Sequence, residues 1–380
     1  MSIGPRAGIL LTLISSTAVT AAAPAPQPPV RWTLDATPAL TLGANERDTV
    51  GIFQTVLGAT RLPDGSILVG DRGEFALRLF GPTGAPLRSF ARIGSGPGEV
   101  QRIAGLLRCG DSIYAHDSRQ GNLYSVFTLA GRFVRSFRFA SPQSGFPPYQ
   151  TACNGRGDFV HLGYQSPRDI KAGPYRSTLP VWLSGADSAI RRLIDSVPGW
   201  EAWGQVRDGR MAGARALPLS RQPVLGAGRT QFYVGSGDQF RIRALDSSGR
   251  EVAVLQRTAS ADAVSEADVR NEMEREISIR GESWRRRTEQ DYAEMKLPTT
   301  LPPYTILIVD ESDYVWVRPW PRAALASLRW SVFDPRGRLA AEVDVPAFLE
   351  VFEIGREYLL GRYFDPNEAV PQVRLYRLRR

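Results

Sequence analysis

The chain has 380 residues, with 47 Lys and Arg against 39 Asp and Glu, a net charge of +8, 43% hydrophobic residues, two histidines and two cysteines. Such a composition excludes a disordered polar chain, and the histidine count excludes a three-histidine zinc centre. The positive charge is almost all arginine, Lys171 and Lys296 being the only lysines. No basic run is interleaved with aromatics in the manner of a nucleic-acid groove, so nucleic acid is not an expected partner.

In chain order, residues 1–23 carry Arg6, an apolar stretch from Ile9 to Val19 and the small residues Thr20 to Ala23. This predicts a signal peptide and an exported, periplasmic or secreted protein. The stretch is too short for a membrane span, and no other segment is long and apolar enough to be one. Residues 24–30 read as an extended, disordered spacer and residues 31–380 as one domain. From Leu62 the chain reads LPDGSILVGDRGEFALRLFGPTGAPLRSFARIGSGPGEV, and from Cys109 it reads CGDSIYAHDSRQGNLYSVFTLAGRFVRSFRF. Both phrases hold an alternating apolar run, a polar loop, a second run, a Gly turn and then (Leu/Val)-Arg-Ser-Phe. Period-two alternation between Gly, Asp and Pro turns predicts strands A to D of a four-stranded unit.

The first unit is predicted as Val56–Leu62, Ser66–Asp71, Ala76–Phe80 and Leu87–Ile93, and the second includes Ser112–Asp117, Asn122–Phe127 and Phe133–Phe139. A looser third follows at Tyr149–Cys153, Phe159–Tyr164, Pro180–Leu183 and Ala189–Ile194. The fourth, with Phe232–Gly235, Phe240–Leu245 and Glu251–Gln256, matches the first at a constant offset: Val69 onto Val234, Leu77 onto Ile242, Gly84 onto Gly249. The fifth spans Tyr304–Val345. The sixth has only three strands, Phe348–Ile354, Tyr358–Tyr363 and Val373–Leu378. An open edge exposes unpaired backbone groups, so the spare strand at residues 31–43 is expected to complete the sixth unit. Repeats of about forty residues built from short strands predict an all-β, six-bladed β-propeller of four-stranded antiparallel blades. A mostly helical insertion is expected at 259–303, between blades four and five. There Ser265 can cap a helix with Asp268, and a second helix starts near Ser283. Arg285, Arg286 and Arg287 read either as an acidic-group site or as a solvated helix face.

The phrase LPDGSILVGD…RLF…G…LRSF…GSGPGE resembles the six-bladed β-propeller family of bacterial secreted proteins, relatives of NHL-repeat propellers. The resemblance runs over residues 31–380 and is strongest over 56–139. It implies the fold and export more than a reaction. Related propellers include calcium-dependent lactonases and metal-dependent lyases, which implies an alternative function: a metal-dependent hydrolase or lyase with its site at the channel mouth.

The insertions fall mostly on one face, in B–C loops (165–179, 319–327, 364–372) and in D–A links (195–221, 259–303). Loops on a rigid scaffold carry function, so this face is the expected binding face. The candidate ligand contacts are Arg72, Glu74, His116, Asp117, Arg119, Tyr164, Trp200, Trp203 and Trp320. Trp200 and Trp203 suit sugar or peptide recognition as exposed loop aromatics; equally, they suit pinning the loop onto the ring. Asp71 and Asp117 suit backbone capping of the B–C turn better than catalysis. His116 occupies the Gly70 position of the repeat and His161 the Val69 position, on opposite strand faces. No GxSxG or HExxH motif occurs, and no catalytic residue, metal site or cofactor is expected. Export allows a disulfide between Cys109 and Cys153, yet equivalent points of adjacent blades usually lie beyond the Cα limit of about 7 Å, which speaks against the bond. The leading expectation is a monomeric, exported, non-catalytic module that binds a peptide, glycan or partner protein. A structural module of an envelope complex is a further alternative.

Overall fold

The computed structural model describes residue 1 and residues 30–43, 52–73, 75–140, 145–164, 170–207, 209–258, 262–322, 325–364 and 370–380. The expected signal peptide, most of the spacer and Glu74 lie outside the described residues.

The described chain is mostly strand and forms six antiparallel sheets, numbered here I to VI in chain order. Sheet I holds Val56–Arg61, Ile67–Asp71, Phe75–Phe80 and Pro86–Arg92. Sheet II holds Ile103–Cys109, Ser112–Asp117, Leu123–Thr128 and Phe133–Phe137. Sheet III has Gln150–Cys153, Asp158–Leu162, Gly173–Gly185, Ile190–Arg207 and Arg210–Ala216. Sheet IV has Val224–Ala227, Phe232–Gly235, Arg241–Leu245 and Glu251–Gln256. Sheet V has Ile306–Val309, Val315–Arg318, Ser327–Phe333 and Leu339–Pro346, and sheet VI has Leu349–Ile354, Tyr358–Tyr363 and Gln372–Arg379. The hairpins turn on glycines in the left-handed region: Gly84 has φ 91° and its counterpart Gly249 has φ 87°, a conformation a side chain would strain. Sheets I and II also share a bulge. Their register skips between Val56 and Gly58 and between Ile103 and Gly105, each opposite the aspartate that ends the second strand.

Alternation places one row of apolar side chains on each face of every sheet, and both rows must be buried. Among the described residues, buried side chains accordingly form six clusters that each join two sheets: I to II, II to III, III to IV, IV to V, V to VI and VI back to I. The first strands touch in the same cyclic order. This closed ring of radial sheets is the arrangement of a β-propeller. Each fully buried Leu, Ile or Phe at these seams contributes about 1.5–3 kcal/mol.

The N-terminal segment lies across the last seam. Leu40–Leu42 pairs antiparallel with Leu375, Arg374 and Val373, and Thr33–Leu34 pairs with Arg379 and Leu378. Val30–Arg31 then pairs parallel with Ala341 and Glu342 of sheet V. Trp32 is buried between sheets V and VI, and Leu42 between VI and I.

Two expectations are corrected. Residues 173–179 and 195–207 are not loops. They extend the hairpin of sheet III, so that Pro174 pairs with Trp203 and Arg176 with Glu201. The interruptions by Pro174, Pro198 and Gly199 suggested loops, but Pro198 pairs with Thr178, a bulge sets Gly199 and Trp200 opposite the single Ser177, and pairing resumes at Arg176 and Glu201. Arg210–Ala216 then folds back as a fifth strand. Second, Cys109 and Cys153 form a disulfide with their Cα atoms 5.8 Å apart. Both end the first strands of neighbouring sheets, where the ring is narrowest, so the spacing typical of outer strands does not apply.

The chain between sheets IV and V forms α1 (Glu266–Arg280) and α2 (Arg285–Glu294). Ser265 caps α1 through Asp268: the Ser265 Oγ accepts from the Asp268 N–H at 3.2 Å and the Asp268 carboxylate accepts from the Ser265 N–H at 2.9 Å. The helices pack on the extension of sheet III, where Tyr292 and Met295 bury against Leu217 and Trp203. Arg215 fastens the contact, donating to Glu276 at 2.7 Å and to Asp291 at 2.8 Å. Arg285 binds Glu274 and Glu282, and Arg287 binds Asp291, so neither offers a free guanidinium.

Candidate functional site

The candidates on sheets I and II serve the scaffold. Asp117 is fully buried and accepts the N–H groups of Gln101 (2.6 Å), Arg102 (3.2 Å) and Arg119 (2.9 Å) and the Gln120 side-chain amide (2.9 Å). Asp71 does the same one sheet earlier for Gln54 and Thr55. Each aspartate ties the strand leading into its sheet to the B–C turn, so it caps backbone rather than moving protons. His116 hydrogen-bonds Asn122 at 2.9 Å and stacks on Tyr124 at 4.7 Å, and burial pushes its pKa below the ordinary value. Arg72 donates to the Ile103 carbonyl at 3.4 Å, and burial, with Arg102 nearby, lowers its pKa. The Arg119 side chain is exposed.

His161 is a core residue. Its two ring nitrogens bond Thr151 (2.9 Å) and Ser184 (2.8 Å), and its ring stacks on Trp182. Burial depresses its pKa to about 3, so the imidazole stays neutral.

Sheet III carries the arrangement that stands apart. Tyr164 lies two residues past the end of its second strand, Trp200 sits at the bulge of its extended hairpin, and Tyr149 precedes its first strand. The three rings meet: Tyr149 to Trp200 at 4.8 Å, Tyr164 to Trp200 at 5.4 Å and Tyr149 to Tyr164 at 6.3 Å. Tyr149 is 44% and Tyr164 49% exposed, while Trp200 is half-buried and anchored on the III–IV core. The bulge re-aims Trp200, and Arg176 holds that backbone from beneath by donating to the Gly199 carbonyl and to Asp238 of sheet IV, both at 2.5 Å. Glu201, next in line, is locked to Arg221 at 2.7 Å. The platform therefore stands on rigid supports at the B–C end of the ring. Tyr149 was not among the sequence candidates because it reads as the first residue of a strand. Trp203 does not join the platform; it packs beneath α1 and α2. Trp320 lies elsewhere, in a cavity beside α1.

The opposite end of the ring opens into a channel cavity of about 450 Å³ lined by first strands of all six sheets. Arg108 reaches Glu311 at 3.6 Å and Glu353 at 4.0 Å there. Glu353 accepts from Thr60, Tyr358 and the Arg61 N–H, and burial raises its pKa. Among the described residues, no group of three or more His, Cys, Asp or Glu side chains is placed to hold a metal ion, and no helix is long and apolar enough to cross a membrane.

No protein-family profile matches the chain, and no curated protein sequence matches it. Solved structures do resemble it. A member of the DUF4221 family from Bacteroides vulgatus matches with a TM-score of 0.50 at 10% identity, over 92% of this chain and 99% of that one. A candidate exported protein from Bacteroides fragilis matches with a TM-score of 0.48 at 15% identity, over 91% of this chain and 97% of that one. At these identities the likeness concerns the fold alone.

Proposed function

We propose that this chain is an exported, six-bladed propeller of NHL-like type that binds a peptide, glycan or partner protein without catalysis, through Tyr149, Tyr164 and Trp200. The observation that carries this reading is the exposed three-ring platform on the B–C face, supported from below by Arg176 and Glu201. Amphipathic rings held in place lose little entropy when a sugar ring or an apolar side chain stacks on them. The buried aspartates and the neutral His161 supply scaffold rather than acid–base chemistry, which favours binding over a reaction. Removal of residues 1–23 on export leaves residues 31–380 as the working domain, a monomer in the periplasm or outside the cell.

Glycan and peptide arrays probed with residues 24–380 test the reading. Ligands are expected whose binding falls at least about 30-fold in Trp200→Ala, the loss of one aromatic hot spot. Tyr149→Ala and Tyr164→Ala should each weaken the same ligands. Array ligands that bind all three variants as tightly as the parent chain would defeat the proposal.

A further inference from the structure

A second site lies on the same face, between α1 and the start of sheet V. A half-open cavity of about 610 Å³ is lined by α1 and by residues 215–220, 222, 304–306, 318, 320 and 321. Four guanidiniums reach its wall. Three have carboxylate partners: Arg275 donates to Glu272 at 2.7 Å, Arg215 to Glu276 at 2.7 Å, and Arg280 lies 3.1 Å from Glu276. Arg318 differs. Among the described residues its guanidinium has no carboxylate within ion-pair distance and no hydrogen-bond acceptor, and its Nε is buried with no partner. Glu350 acts on it only at longer range and is itself taken by Arg362. Burial weighs on Arg318 enough to lower its pKa. A desolvated cation without a counter-charge is costly, and a bound anion removes that cost.

The remaining wall suits an organic anion rather than a bare ion. Trp320, Leu219 and the largely exposed Ile279 also line the cavity, giving it apolar wall alongside the arginine. We propose that this cavity binds a small organic anion, whose carboxylate, phosphate or sulfate group pairs with Arg318 and whose apolar body lies against Trp320. α1 is then one wall of a ligand site, which gives the helical insertion a role beyond bracing sheet III. The proposal is independent of the aromatic platform, since neither Arg318 nor Trp320 touches it.

Isothermal titration at constant ionic strength tests it with three probes: inorganic phosphate, phenyl phosphate and benzoate. At least one aryl anion is expected to bind the parent chain, and phenyl phosphate against benzoate tells a phosphate site from a carboxylate site. Arg318→Gln should weaken binding about tenfold or more, and Arg318→Lys should retain part of it. Trp320→Ala should weaken phenyl phosphate more than inorganic phosphate, and Trp200→Ala should leave both unchanged. Without anion, Arg318→Gln should melt no lower than the parent chain, because the neutral amide carries no desolvated charge. At ten times the parent's Kd, the aryl anion should raise the parent's Tm by about 2 °C and that of the Gln variant by no more than about 0.6 °C. The proposal is overturned if none of the probes binds, if Arg318→Gln binds them as the parent does, or if that variant melts well below the parent without anion.

Discussion

Replacing Trp32 with Ala asks whether the N-terminal segment seals the ring. Trp32 stands eight residues before the closing strand Leu40–Leu42 and is 9% exposed, packed at the V–VI seam. Tyr314 meets it edge-on at 5.1 Å, Trp316 lies 5.8 Å away, and the Arg380 guanidinium sits 4.7 Å above its ring. Truncating a buried aromatic costs about 3–5 kcal/mol in transfer and cavity terms. The unfolding entropy of roughly 340 residues is about 0.7 kcal/mol per degree, so the expected fall in Tm is roughly 4–7 °C. Calorimetry on residues 24–380 reads this directly. Val30→Ala, at a position 62% exposed, is the control and should move Tm by under about 1 °C. Deletion of residues 31–43 should go further and abolish cooperative unfolding, because sheet VI then ends on an open edge. A Trp32→Ala chain that melts within a degree of the parent would refute the docking of this segment and the closure drawn from it.

Reduction, or the paired Cys109→Ser and Cys153→Ser change, opens a loop with a sequence separation of 44 and should cost about 2–4 kcal/mol, read as a lower Tm in reducing agent. His161 predicts a pH effect of definite sign. Its folded pKa is about 3, against about 6.5 unfolded, so below pH 6.5 only the unfolded chain takes up the proton. Stability is lost as pH falls from 6.5 toward 3, by about 2 kcal/mol at pH 5. Urea melts of His161→Gln at pH 7 and pH 5 should lack that loss, and an unchanged pH dependence would count against it. Asp117→Ala strands the backbone donors of Gln101, Arg102 and Arg119 and should cost about 3 kcal/mol or more, without altering ligand binding.

The ring was legible because its signals are local. Hairpin glycines such as Gly84 and Gly249, period-two alternation and the terminal aspartates of the second strands each act within a few residues. The missing strand of sheet VI was legible as a deficit that the N-terminus could fill. What stayed hidden depends on distant geometry. The long hairpin of sheet III contains Pro174, Pro198 and Gly199, residues that mark loops locally, and only cross-strand pairing with a bulge makes them strand. That misreading left Trp200 and Trp203 as equals, although one joins an exposed platform and the other lies under α1 and α2. Tyr149 became visible as a site residue only when Tyr164 and Trp200 came to rest beside it. The cysteine pair was misjudged because repeat-equivalent positions diverge outward but converge near the axis. Arg318 looked like any other arginine, since an unmatched charge is a property of its surroundings.

The most direct test of the account is equilibrium binding of the best array ligand to the parent chain, to Trp200→Ala and to Arg318→Gln. The account predicts a loss of at least about 30-fold in Trp200→Ala and an unchanged Kd in Arg318→Gln. A ligand that binds Trp200→Ala as tightly as the parent would contradict the aromatic platform as the recognition site.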